Sequence, residues 1–213
     1  MKKNNLILGI FLVITAILFS GCGESVSVVT IGSQVWTSKN LDVDSFRNGD
    51  PIPYAKTAKE WEIALLYELP AYCNYDNNPA NGEKYGKLYN WYALNDQRGL
   101  APNGYHIPSD EEWMQLIDYL GGKGIAGTKI KSTSGWNYVN GTDSSGFSGL
   151  PGGGRDFDGE YFQIGKAGYW WSSTRHDSDS RLALFCNLSG LDVNVDRGVF
   201  PKGAGFSVRC LRD

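Results

Sequence analysis

Apolar positions change rhythm along the chain. Trp113, Leu116, Ile117 and Leu120 stand at i, i+3, i+4 and i+7, which places all four on one face of a helix. Ser109-Asp110-Glu111-Glu112 precedes them as a capping box, in which the Ser hydroxyl accepts the N3 amide and Glu112 reaches back. Asp110 and Glu111 favour the positive end of that helix dipole, and Gly121 supplies its exit. Thr57-Ala58-Lys59-Glu60 repeats the signal before Trp61, Ala64 and Leu65, while Leu88, Trp91, Tyr92 and Asn95 predict a third helix over 85–95. Beyond Gly121 the period shortens. Leu191-Asp192-Val193-Asn194-Val195-Asp196 and Phe206-Ser207-Val208-Arg209-Cys210-Leu211 alternate apolar and polar, as strands with one wet face do. Segments 169–174 and 182–185 read as further strands. Helices first and strands later predict an α+β domain with two or three helices, small antiparallel sheets and long loops.

The longest apolar run, residues 6–19, follows Lys2 and Lys3 and ends at Ser20-Gly21-Cys22. Basic end, apolar stretch and small residues are the order of a secretory signal peptide, and the run is shorter than the roughly 20 residues of a spanning helix. Leu18-Phe19-Ser20-Gly21-Cys22 resembles the lipobox of bacterial lipoproteins, with Phe19 where that family usually carries Leu. The resemblance implies that Cys22 is diacylated and becomes the new N-terminus. Acyl chains contribute about 0.8 kcal/mol per buried methylene, so two or three make a durable membrane anchor. The expected division is a lipoprotein signal peptide over 1–22, a short tether over 23–27 and one domain over 28–213. The expected location is the bacterial cell envelope, at the outer membrane or cell surface.

Composition narrows the class further. Among 213 residues are 27 Gly, 7 Trp and 12 Tyr but 2 His, a balance that excludes coiled coils and favours turns with aromatic packing. The net charge of −3 excludes a strong overall pull toward nucleic acid or anionic lipid, and no nucleic-acid partner is expected.

Residues able to do chemistry are few. His106 lies between Tyr105 and Ile107 and reads as a packed or capping residue; His176 lies in the polar run Arg175-His176-Asp177-Ser178-Asp179. No His/Cys spacing suits zinc. Asp192-x-Asn194-x-Asp196 resembles the opening of a calcium loop, but Arg197 displaces the required Gly, so an exposed strand is the better account. Asp156, Asp158 and Glu160 surround Gly159 as an acidic turn. No metal and no cofactor is expected. Cys73, Cys186 and Cys210 remain beside Cys22, an odd set that in an exported chain predicts one disulfide and one spare thiol. Asn140-Gly141-Thr142 and Asn187-Leu188-Ser189 match glycosylation sequons, which a bacterial lipobox makes irrelevant. Trp136, Tyr138, Arg155, Asp156, Tyr161 and Arg175 are the candidate ligand-binding residues, aromatic and charged groups on the late loops.

Five ordered motifs carry a wider resemblance. They are Ile31-Gly32-Ser33-Gln34-Val35-Trp36 with Asn40-Leu41; Tyr85-Gly86-Lys87-Leu88-Tyr89-Asn90-Trp91; Pro102-Asn103-Gly104-Tyr105-His106-Ile107-Pro108-Ser109 before Glu112-Trp113; Trp171-Ser172-Ser173-Thr174; and Ser207-Val208-Arg209-Cys210. Together they resemble the Fibrobacter succinogenes major paralogous domain from about Val28 onward. That resemblance implies a C-type lectin-like fold, shared with formylglycine-generating enzymes, with its first and last strands paired. It also implies a Cys before the Pro-x-Gly motif, where this chain has Ala101, leaving Cys186 as a replacement partner. The copper-binding cysteine pair of the formylglycine-generating enzymes has no counterpart, nor have the sugar and calcium motifs of C-type lectins. The resulting expectation is a non-catalytic envelope lipoprotein that binds glycan or protein through late loops. The alternatives are an exported enzyme on a related fold and a passive structural component of the envelope.

Overall fold

The computed structural model describes residues 26–213. Cys22, the signal peptide and most of the tether lie outside the described residues. The elements run β1 (Val28–Ile31), β2 (Gln34–Thr37), α1 (Ala58–Leu66), β3 (Tyr72–Cys73), α2 (Pro79–Tyr85), β4 (Leu88–Tyr89), α3 (Trp91–Leu94), β5 (Tyr105–His106), α4 (Asp110–Tyr119) and α5 (Lys123–Ile130). The later half contributes β6 (Gly154–Arg155), β7 (Tyr161–Phe162), β8 (Ala167–Arg175), β9 (Leu182–Ser189), β10 (Val195–Pro201) and β11 (Leu211–Arg212). Both capping boxes form. Thr57 and Glu60 close one at α1, and Ser109 and Glu112 the other at α4.

The architecture is α+β with four separate sheets, none closed into a barrel: β1-β2-β11-β5, β10-β9-β8, β3-β4 and β6-β7. This corrects the C-type lectin-like expectation of two or three helices with directly paired terminal strands. Five helices are present among the described residues, and β2 lies between β1 and β11, with Trp36 opposite both Val29 and Leu211. The helix expected over 85–95 is also broken. Gly86 takes a positive φ of 78°, and Tyr89 exchanges backbone hydrogen bonds with Phe206. That exchange makes Leu88–Tyr89 a strand and delays the helix until Asn90 caps Trp91–Leu94.

Segment 206–211 departs from its alternating pattern. Every residue from 203 to 211 is buried, so the polar Ser207 and Arg209 face protein just as Phe206, Val208 and Cys210 do. The segment threads the domain, bonded to Tyr89 on one side and to Tyr169 and Trp171 on another. Three apolar clusters pack around it. One gathers Trp171, Phe206 and Val208, one Trp36, Trp113, Phe147 and Trp170, and one Trp61, Cys73 and Leu88. In the second cluster the rings of Trp36 and Trp113 lie 4.8 Å apart and those of Phe147 and Trp170 6.1 Å apart, distances at which aromatic pairs attract beyond simple burial.

Candidate binding site

Lys131, at the exit of α5, is 0% exposed. Its ammonium donates to the carbonyls of Val139 (3.0 Å), Ser189 (3.1 Å) and Asp192 (2.7 Å). An ammonium has three donors, and all three are used. Burial lowers the Lys131 pKa, with Asp192 opposing. The neighbouring indole of Trp136 lies 5.2 Å below the ammonium, within cation–π range. The result is one buried cation fastening two loops, around Val139 and around Ser189 to Asp192. Val139 N donates to Gly190 O at 2.9 Å, joining them directly.

These two loops carry much of the exposed apolar surface of the late chain. Tyr138 is 57% exposed and Leu191 71%, with Val139 and Val193 also exposed. Beside them opens a cleft of about 360 Å³ lined by Tyr138, Tyr169, Gln163, Lys166, Asn187 and Ser189. It offers aromatic faces together with amide, hydroxyl and ammonium groups, the mixture that orients a polar ligand over an apolar ring.

The six residues singled out in the sequence do not form one surface. Tyr138 reaches the cleft. Trp136 is core, donating its indole N–H to Ser132 Oγ (3.1 Å) and Gly149 O (3.2 Å). Arg155 is 1% exposed; it donates to Gly159 O and Ala55 O, and its guanidinium lies 4.7 Å from the Trp61 ring and 4.8 Å from the Tyr161 ring. Tyr161 is half-buried against it. Asp156 shapes its own turn, accepting from Phe157 N and donating its amide to Glu160 O. Arg175 is exposed at the end of β8. Trp136 and Arg155 are therefore corrected from ligand contacts to internal supports, because both side chains are buried and donate to groups of the protein itself. Sequence reading missed Lys131, Gln163, Lys166, Tyr169 and Asn187; a lone Lys after a helix gives no signal of three carbonyls converging on it.

The disulfide expectation is corrected too. Cys73, Cys186 and Cys210 are free and buried, one in each of the three apolar clusters. Burial raises the Cys73 thiol to about 11 and Cys210 to about 12, and raises Cys186 as well, which leaves them protonated and weakly nucleophilic at neutral pH. His106 is clamped, with Nδ1 2.8 Å from Asp213 Oδ1 and Nε2 2.9 Å from Glu112 Oε1, so neither ring nitrogen is free to serve as a base. In the calcium-like stretch, Asp192 Oδ1 accepts Asn194 N, its carbonyl accepts Lys131, and Asp196 pairs with Lys123. No group of three or more His, Cys, Asp or Glu gathers as metal ligands among the described residues.

The family described as the Fibrobacter succinogenes major domain matches residues 29–212. The chain belongs to that family. No curated protein and no solved structure matches it. The Fibrobacter succinogenes major domain thus spans from β1 to β11, and it holds the Lys131 staple and the aromatic cleft. The buried thread of residues 203–211 lies within it as well. The family name states no activity, and a fold by itself confers none.

Proposed function

We propose that the protein is an exported, non-catalytic binding module, anchored to the cell envelope through acylated Cys22 at the outer membrane or cell surface, that captures glycan in the cleft beside Tyr138. The observation that carries the reading is the exposed Tyr138 ring at the rim of a cleft furnished with Gln163, Asn187 and Ser189. An aromatic face stacks on the apolar face of a sugar ring, while amides and hydroxyls satisfy its hydroxyl groups. Lys131 supports the reading, since loops held before the ligand arrives lose less freedom on binding. The raised thiols and the clamped His106 fit a binding role better than an exported enzyme.

A glycan array probed with the full-length chain in detergent tests the proposal. Saturable capture by the native chain and its loss in Tyr138→Ala at unchanged melting temperature are expected. Capture that survives Tyr138→Ala overturns the cleft, and a chain that captures only envelope proteins supports the protein-ligand alternative instead. For the anchor, Cys22→Ser should move the chain out of the membrane fraction and leave the precursor unprocessed.

A further inference from the structure

We propose that the cleft between residues 38–42 and α2 is a phosphate-binding site, with the guanidinium of Arg209 as its floor. This cleft, about 570 Å³, is separate from the one beside Tyr138, and Arg209, Ser38, Lys39, Asn40, Lys84 and Ser148 line it. Arg209 is 1% exposed. Its Nε donates to Asn40 Oδ1 (2.7 Å), Nη1 to Thr37 O (2.6 Å) and Nη2 to Ser148 O (3.3 Å), all neutral acceptors. Among the described residues, three bonds engage three of the five N–H groups a guanidinium carries, so each terminal nitrogen keeps one further donor. Asp143 acts on this charge from behind Ser148, whose amide and hydroxyl its carboxylate accepts at 2.7 and 2.6 Å.

Charge at the mouth has the same sign. Lys39 and Lys84 are exposed there. Of the two acidic residues in the lining, Asp42 is paired with Lys87, which leaves Glu83 against three cations. A phosphate monoester brings about −1.5 to −2 charges at neutral pH and oxygens that suit a guanidinium fork. No carboxylate of the described residues touches the guanidinium directly, and burial opposes its charge more than the more distant Asp143 supports it, a cost that an incoming phosphate would offset.

The phosphate has two sources, a lipid headgroup and free phosphate. Ser38 ties the mouth to the start of the domain, with its amide and its hydroxyl each 2.9 Å from oxygens of Ser27. Ser27 stands five positions after Cys22, and an extended chain covers at most about 3.6 Å per residue. If Cys22 is acylated, as proposed above, the mouth is held within roughly 18 Å of the chain's anchoring point.

Calorimetric titration of the full-length chain in nonionic detergent with inorganic phosphate tests the site, with sodium chloride at matched ionic strength as the blank. Saturable phosphate binding is expected, weakened tenfold or more by Lys39→Glu with Lys84→Glu, two exposed positions whose substitution should leave the melting temperature unchanged. Arg209→Met is the direct variant; because it is buried and can unfold the domain, the lysine pair decides the result. Displacement of bound phosphate by dihexanoyl phosphatidic acid, whose headgroup is a phosphate monoester, assigns the site to a lipid headgroup; phosphate binding without displacement assigns it to free phosphate. Heats equal to those of sodium chloride, or unchanged affinity in the lysine variant, overturn the site. Neither result depends on glycan capture at Tyr138.

Discussion

The Nζ of Lys131 lies 2.7 Å from the carbonyl oxygen of Asp192, although the two residues are 61 positions apart. This bond, with its companions to Val139 and Ser189, decides where Tyr138 stands. Lys131→Met should therefore affect both folding and binding. Three carbonyls lose their donor, and a buried acceptor left unsatisfied typically costs about 1–3 kcal/mol. A lowered melting temperature together with weakened glycan capture is expected; a variant that keeps both at native values would show that the loops hold themselves.

Trp136 and Tyr138 should separate stability from binding. Trp136→Ala empties a core position and is expected to cost about 3–5 kcal/mol, read as a fall in denaturant midpoint. Tyr138→Ala, at an exposed position, should stay within about 0.5 kcal/mol of native while losing capture. The reverse assignment of effects would mean that the cleft has been placed on the wrong face.

The His106 clamp predicts a pH signature. Burial opposes its charge, but the hydrogen bonds of Asp213 and Glu112 outweigh burial and raise its pKa above the ordinary 6.5. A raised folded value means stabilisation fully present below 6.5 and lost as pH rises through the folded value. Burial likewise opposes Glu112, yet Ser109 and His106 lower it below the ordinary 4.5; its contribution holds above 4.5 and disappears as pH falls through the lowered value. The melting-temperature difference between native chain and His106→Gln should be largest between those limits and shrink toward pH 9. The imidazole is partly exposed, so the difference should be small and reduced by salt. A difference that is flat with pH removes the imidazolium from the account.

Thiol chemistry offers a fourth check. Cys73, Cys186 and Cys210 are buried and free, so an aromatic disulfide reagent should leave them unmodified in the native chain and titrate all three in denaturant. Rapid modification of one thiol under native conditions would place it at the surface and contradict its cluster.

The sequence by itself determined the features that depend on neighbours a few positions apart. Ser109 finds the Glu112 amide, and Thr57 that of Glu60, within one turn, so both caps were legible, as was the buried stripe of Trp113, Leu116 and Ile117. The leader and Cys22 were equally local readings, and they fall outside the described residues. Tertiary structure decided which alternating segments have a wet face and which polar groups point inward. Residues 206–211 carry a strand's alternation, yet Ser207 is buried beside Trp170 of β8, and β2, residue Asn40 and the loop at Ser148 close over Arg209, which reaches Thr37 across 172 positions. Arg155 and Trp136 looked like ligand contacts for the same reason. Whether a long polar or aromatic side chain meets water or a distant carbonyl depends on what other parts of the chain lay over it, and no local pattern records that.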